Sequence, residues 1–180
     1  MSNAQRKVIV RRFTGDLLAG YLPLAAFVRS DAGGPLVDLL DLSGHVLPLS
    51  LGDIKMISYV RDFNLTDTVN PERLTRRTFL ARPRNEGLWV RMTFRSGDIL
   101  EGLAPTDLTL LTSVMEDFGL PLIPPDTRSN TQRIFVPRAA ITSLQIVAIV
   151  TTPSRKKPLP TVEPPSLQET LFNHANSGSE

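Results

Sequence analysis

One short phrase occurs twice in this chain, as FTGDLLAG at 13–20 and as RSGDILEG at 95–102. Each copy follows a segment of alternating apolar residues, and these segments begin at Val8 and Val90, an offset of 82 residues. The copies share a Gly-Asp pair, two aliphatic residues and a second Gly, which are typical of a hairpin turn and a bent strand. A repeated phrase of this kind predicts a repeated structural unit.

A second set of matching residues follows each phrase in the same order, with an offset of 87 residues. It consists of a strand-like segment, a short bend and an Ile-rich segment. The matching pairs are Leu47 and Ile134, Leu49 and Val136, Ile54 and Ile141, and Ile57 and Leu144. An insertion of five residues in the middle loop of the second copy accounts for the larger offset. Two matched halves in one order indicate tandem units of about five short strands each.

The short apolar segments are separated by many of the 15 prolines and 11 glycines, which favours strands and turns over long helices. A five-stranded unit protects its edges by curling into a partly closed barrel. We therefore predict a mainly β chain with two tandem five-stranded SH3-like or Sm-like barrels, at 5–63 and 88–152. An Arg-rich linker at 64–87 has a helix-start signal, Asn70-Pro71-Glu72, for one short helix. A Pro-rich tail at 153–180 is predicted to be disordered.

The Val-x-Val segment, the Gly-Asp turn and the second Gly resemble the first motif of the Sm and Hfq-like superfamily of small barrels. The segments IFVPRAAITSLQIV at 134–147 and LPLSLGDIKMISYV at 47–60 are similar to the closing motif of that superfamily. The chain also resembles a group of uncharacterised bacterial proteins in which a phrase like KVVVRFxDGxxxKG precedes a strand that ends like Val60-Arg61-Asp62-Phe63. The resemblance implies a bent five-stranded barrel for each copy.

The RNA sites of Sm and Hfq-like proteins use polar or basic residues in the loop before the last strand, and Hfq-like proteins have a Tyr-Lys-His cluster there. At these positions the chain has Phe135-Val136-Pro137-Arg138 in one copy and Leu49-Ser50-Leu51-Gly52 in the other. The resemblance therefore implies the fold without the RNA-binding signature.

Composition removes several kinds of chemistry. The absence of cysteine excludes disulfides, thiolate metal sites and cysteine nucleophiles. The two histidines, His45 and His174, have no nearby sequence partner for a metal site or a catalytic triad. Asp16 and Asp98 recur in both copies, and we interpret them as turn residues. We predict a non-enzymatic protein with no cofactor and no metal.

The sequence has no apolar run close to the roughly 20 residues of a membrane span. The N-terminal segment also lacks the apolar core of a signal peptide. We therefore expect a cytoplasmic protein without membrane insertion.

The best candidate for binding anions is the Arg-rich region 61–95, which has eight arginines against four acidic residues. Guanidinium groups bind phosphate through two parallel hydrogen bonds, so the cluster suits a phosphate-bearing ligand. The alternative is a solvated linker with internal ion pairs. The candidate residues are Arg73, Arg76, Arg77, Arg82, Arg84 and Arg91.

Arg73 and Arg77 also fit the Arg-x-x-x-Arg phrase of PilZ domains, which bind cyclic di-GMP. Such a domain has a second phrase, Asp/Asn-x-Ser-x-x-Gly, about one hairpin later. The sequence downstream of Arg77 lacks it, and Asp41-Leu42-Ser43 lies upstream without the final Gly.

Two classes of function stay open. In the first, which we favour, the chain is a protein-interaction module whose exposed strand edges pair with a partner or with a second copy. The tail segment 166–174 then supplies a further contact through Leu167, Leu171 and Phe172. In the second, the Arg-rich linker and a barrel face bind single-stranded RNA or another nucleic acid, or cyclic di-GMP. The net charge of +2 permits nucleic-acid binding without arguing for it.

Overall fold

A computed structural model describes residues 5–24, 26–106, 118–126 and 128–151. The first half of the chain contains β1 (Arg6–Arg12), β2 (Leu17–Leu22), β3 (Val28–Asp31), β4 (Gly34–Asp41), β5 (Val46–Ser50) and β6 (Ile54–Val60). The second half contains β7 (Gly87–Phe94), β8 (Ile99–Ala104), β9 (Gly119–Leu122), β10 (Thr131–Pro137) and β11 (Ile141–Val150). Single 3-10 turns, Leu51–Asp53 and Arg138–Ala140, precede β6 and β11. The prediction of a mainly β chain is confirmed.

The central strands β1 and β6 are buried on both faces. In β1 the residues Val8, Ile9 and Val10 are all at most 2% exposed. Such a continuous apolar run is typical of a strand that is covered on both sides. The hairpins that follow β1 and β7 turn at Gly15 and Gly97, whose φ angles of 96° and 84° lie in the left-handed region that glycine tolerates.

Eight strands form one curled sheet in the order β3-β4-β2-β1-β6-β10-β9, with β5 paired to β4. The other three strands form a small sheet in the order β11-β7-β8. A single bridge between Leu103 and Ile123 joins β8 to the end of β9. Strands from both halves of the sequence share the large sheet because β6 pairs with β10. The sheet assignment alone therefore does not divide the chain into two barrels.

The strand register is the same around both copies of the repeated phrase. In each half, the valine at which the repeated pattern begins faces a glycine on one neighbouring strand and an apolar or aromatic residue on the other. These positions are Val8 opposite Gly20 and Tyr59, and Val90 opposite Gly102 and Ile146. The hairpin and the last strand of each half therefore meet in equivalent ways.

The two glycines within strands mark close backbone approach, as the sequence predicts. A Cβ atom on Gly20 would lie 2.5 Å from the carbonyl oxygen of Leu40 on β4. A Cβ atom on Gly102 would lie 3.2 Å from the carbonyl oxygen of Ile123, beside β9. Gly20 thus allows β4 to pass close to β2, and Gly102 allows the end of β9 to pass close to β8.

The hydrophobic cores exchange side chains between the halves. Phe135 from β10 belongs to the core formed mainly by β1, β2, β4 and β6, where its ring meets that of Phe27 edge-on at 4.9 Å. Met56 from β6 belongs to the core formed mainly by β7, β8, β9 and β10. Burial of large apolar side chains is the main stabilising term in folding, so the halves stabilise each other.

Two local predictions differ from the structure. The polar and glycine-rich sequence RSDAGGP at 29–35 predicts a loop, but β3 occupies Val28–Asp31 and forms a hairpin with β4. The predicted short helix in the linker is wrong, because residues 64–86 contain turns instead. The amide of Arg73 donates to the carbonyl of Asn70 at 2.9 Å, and the φ angle of 42° at Arg73 prevents the turn from continuing as a helix.

Some predictions lie outside the described residues. They concern the tail at 153–180, including Leu167, Leu171 and Phe172. Within the described ranges, no helix has the length and apolar character needed to cross a membrane.

Candidate functional sites

A buried carboxylate on β8 fastens the linker to the small sheet. Glu101 is 1% exposed and accepts hydrogen bonds from the backbone amide of Phe79 at 2.9 Å and from the indole of Trp89 at 3.2 Å. The guanidinium of Arg91 donates to the same carboxylate at 2.7 Å and forms an ion pair with it at 2.6 Å. Burial of this charge is therefore compensated by several donors.

A second buried carboxylate fastens the linker to the large sheet. Glu72 is 2% exposed, and Arg11 of β1 donates to its Oε1 atom from two nitrogens at 2.8 and 2.5 Å. The hydroxyl of Thr131 donates to the backbone oxygen of Glu72 at 2.6 Å, and Asn130 donates to Pro71 at 2.9 Å. The linker is therefore attached to both halves at a few buried points, whereas most of its other residues are exposed.

The six candidate arginines of the linker region have different surroundings. Arg91 is bound to Glu101, and Arg77 forms an ion pair with Asp98 at 3.3 Å. Arg76 lies near Asp126, whose pKa is lowered mainly by the hydroxyl of Thr75 and further by Arg76. Arg73, Arg82 and Arg84 are exposed. The charge of several members is thus balanced within the protein, and for the PilZ phrase this applies to Arg77.

Asp98 connects the halves, which the sequence did not indicate. Lys55 of β6 forms an ion pair and a hydrogen bond with its carboxylate, and the hydroxyl of Ser96 donates to it at 2.9 Å. These contacts, with Lys55 the largest contributor, lower the pKa of Asp98. Asp16 instead accepts from Thr14 within its own turn, as expected of a turn residue. Both aspartates thus accept from the hydroxyl two residues earlier, and Asp98 adds a partner on β6 that Asp16 lacks.

A neighbouring set of contacts joins the same two halves of the chain. The guanidinium of Arg95 donates to the carbonyl of Gly52 at 2.8 Å and lies 4.3 Å from the ring centre of Phe13. A hydrogen bond and a cation–π contact therefore hold the turn before β8 against two turns of the first half.

A basic cleft lies where the start of β1, the end of β6 and β10 meet. Its volume is about 710 Å³, and four cationic residues line it, namely Arg6, Lys7, Arg61 and Arg133. No acidic residue is among its described lining. At its base the hydroxyl of Tyr59 donates to the carbonyl of Pro23 at 2.9 Å, and burial raises the pKa of this phenol. Composition counts did not reveal this cleft because its residues are far apart in the sequence.

Three of the described strands have one open edge each. The strands β3 and β5 pair only with β4, and β11 pairs only with β7. On β11 the side chains of Leu144, Ile146 and Ile149 are 48%, 62% and 64% exposed. A long apolar strand with unpaired backbone groups is a template for pairing with another chain.

The described residues contain no group of three or more His, Cys, Asp or Glu side chains that could hold a metal ion. His45 is largely exposed, with Asp41 at 3.8 Å. His174 lies outside the described residues.

These features define a mainly β protein whose most distinctive surfaces are its open strand edges and one basic cleft. A model of a family of unknown function, DUF6982, matches residues 4–148, so the chain belongs to that family. The match spans both halves and the linker, which indicates that they form one unit of the family. No curated protein and no solved structure matches the chain.

Proposed function

We propose that this protein is a non-catalytic interaction module, built from two tandem small barrels, that associates with further copies of itself through its strand edges. One observation carries the proposal. Followed from neighbour to neighbour, the paired strands run in a single order, β5-β4-β2-β1-β6-β10-β9-β8-β7-β11. The open edges of β5 and β11 are therefore the two ends of one series, from which the short hairpin strand β3 branches at β4.

This order supports two repeated units. Apart from the hairpin strand β3, its first five strands come from the first half of the chain and its last five come from the second half. Without β3, the strands of each half can be numbered from one to five along the sequence. In the paired order, both halves then give fourth, third, second, first, fifth. The equal register of the two hairpins and the matching glycines at Gly20 and Gly102 agree with this.

The junction inside the chain is a template for a junction between chains. The fifth strand of the first unit, β6, pairs antiparallel with the fourth strand of the second unit, β10. The ends of the molecule are again a fourth strand, β5, and a fifth strand, β11. A second copy can therefore repeat the internal junction by placing its β5 on the open edge of β11. Pro48 removes one backbone donor from β5, so that edge offers fewer hydrogen bonds than a strand without proline.

The side chains at the ends suit an interface between separate molecules. In the internal junction Arg133 lies opposite Tyr59. The offset of 87 residues maps this pair onto Val46 and Ile146. These two residues are 60% and 62% exposed, and covering each apolar side chain fully contributes about 1.5–3 kcal/mol. At the proposed junction between chains, Val46 and Ile146 thus take the places that Arg133 and Tyr59 have in the internal junction. Burial of apolar side chains there would drive association between chains that no covalent linker connects.

The oligomeric state of the full chain tests this proposal. We expect light scattering after size exclusion to show association that increases with protein concentration. Either Ile146→Asp or Val46→Asp should give a monomer, because each charge would be buried on one of the two edges. An equal mixture of the two variants should form a dimer and nothing larger, since each retains one intact edge.

The control is Val69→Asp, which changes an exposed apolar residue of the linker and should leave association unchanged. A monomeric wild-type chain at high concentration would show that self-association is wrong. A dimer of Val46→Asp alone would show that β11 pairs with β11 of another copy, and the head-to-tail arrangement would then be rejected.

The other expected functions have less support. Nucleic-acid binding through the linker is weakened as a proposal because Arg77 and Arg91 are engaged with Asp98 and Glu101. We also propose that the protein acts in the cytoplasm, since a chain without cysteine is compatible with a reducing compartment.

A further inference from the structure

The basic cleft at the β6–β10 junction has four cationic residues and no acidic residue in its described lining. Arg6 and Arg133 have no ion-pair partner among the described residues, whereas Lys7 pairs with the exposed Asp62 at 3.3 Å. With Arg61 they place four cations around one concave surface. A cleft lined by one sign of charge concentrates ions of the opposite sign. The ligand of such a cleft is therefore an anion.

The uncharged residues that line the cleft indicate which class of anion would bind there. The amide side chains of Gln5, Asn85 and Gln132 each offer both donors and an acceptor. Leu24 and Ile123 add apolar surface between them. Phosphate satisfies guanidinium forks, whereas a planar base satisfies amide groups and apolar walls. A volume of about 710 Å³ lies within the usual range for small-ligand sites.

We propose that this cleft binds a nucleotide-class ligand, with Arg6 and Arg133 on its phosphate and the amide side chains at its base. The ligand is either a free nucleotide of one or two units or a short stretch of a single strand, since both present the same chemistry. None of the six candidate arginines predicted from sequence lines this cleft, although Asn85 of the same linker does.

The cleft is formed entirely within one chain, so this inference does not depend on self-association. The monomeric variant Ile146→Asp, whose changed residue is not part of the cleft, should bind as well as the wild-type chain. A wild-type chain that binds nucleotide without self-association would reject only the proposed function, and a wild-type chain that self-associates without binding nucleotide would reject only the nucleotide site.

The test is a binding titration of the full chain with four probes: inorganic phosphate, AMP, cyclic di-GMP and a short single-stranded RNA. We expect at least one nucleotide probe to bind more tightly than inorganic phosphate, with weaker binding at high salt because screening weakens charge attraction. Arg133→Gln and Arg6→Gln should each weaken binding about tenfold, which is the usual effect of losing one charged hydrogen bond. Unchanged thermal unfolding would show that these variants remain folded.

The matched control is Arg82→Gln, an exposed arginine outside the cleft that should leave affinity unchanged. Tighter binding of AMP or cyclic di-GMP identifies a free nucleotide as the source, and binding of RNA alone identifies a strand; both support the site. The proposal is overturned if no nucleotide probe binds, if phosphate alone binds as tightly, or if Arg82→Gln weakens binding as much as Arg133→Gln does.

Discussion

At the scale of single residues, the two in-strand glycines show most directly how sequence determines structure here. Gly20 and Gly102 occupy the same place in the repeated phrase, and at both places a third strand crosses close to the backbone. The sequence was sufficient to predict this, because a glycine within a strand has few other roles. It did not predict which strand would cross, because that contact depends on residues far along the chain.

Replacing Gly20 by Ala should destabilise the protein by about 1–3 kcal/mol, because the new methyl group meets a carbonyl oxygen that cannot move without shifting β4. The midpoint of urea unfolding measures this. Gly33→Ala is the matched control, since a Cβ there meets nothing within 4 Å. Equal unfolding midpoints for the two variants would contradict the close approach at Gly20.

Glu101→Gln should destabilise the protein by about 2 kcal/mol, since the buried site would keep its donors while losing a charged acceptor. The emission of Trp89, the only tryptophan, reports directly on this site. Asp38→Asn removes the exposed pair with Arg29 and should cost much less stability, because solvent screens that pair. If both variants lost the same stability, Glu101 would not fasten the linker as described.

At the scale of elements, the strands were predictable and the linker was not. Apolar segments separated by turn residues predicted short strands on both sides of the linker, where the structure has β1 to β6 and β7 to β11. The strand β3 was missed because its residues are polar and exposed, and its hairpin is supported by Arg29 pairing with Asp31 and Asp38. The linker signal Asn70-Pro71-Glu72 suits a turn as well as a helix, and the pairing of Glu72 with Arg11 decided between them. Such distant partners have no local signature.

The same limit applies to the candidate sites. A local count of arginines pointed to the linker, where Arg77 and Arg91 turn out to be paired with acids. The basic cleft collects Arg6, Arg61 and Arg133, which lie in three separate strand ends or loops. Only the pairing of β6 with β10 brings them together, so the cleft required the fold.

The contact between β6 and the turn before β8 should make stability depend on acidic pH. The pKa of Asp98 is lowered in the folded state, mainly by Lys55, so its contribution is present above the unfolded pKa of about 3.9 and is lost as pH falls through the lower folded value. At neutral pH, Asp98→Asn should cost about 1 kcal/mol because the carboxylate is partly exposed.

Urea unfolding of the wild type and Asp98→Asn across pH 2 to 7, a range of roughly five units around the carboxyl pKa, measures this dependence. The two stability curves should converge at the acidic end. Asp16→Asn, which changes the matching turn residue without a partner on β6, should show a smaller difference. Parallel curves at all pH values would contradict the role of Asp98.

At the scale of the whole molecule, the halves are expected to unfold together. Phe135 and Met56 each lie in the core of the other half, and the linker is bound to both sheets. Phe135→Ala should therefore lower the stability of the entire chain by about 3 kcal/mol. Circular dichroism and Trp89 fluorescence should show one shared midpoint for the variant, as for the wild type. Two separate transitions would show that the halves fold independently.

The covalent joining of two units constrains the symmetry of any closed assembly. A ring of such chains would always contain an even number of units, because units enter in pairs. Its junctions would alternate between a polar type with Arg133 opposite Tyr59 and an apolar type with Val46 opposite Ile146. The order of the rotational symmetry axis would then equal the number of chains and not the number of units. Nucleotide sites would occur at every second junction, one per chain.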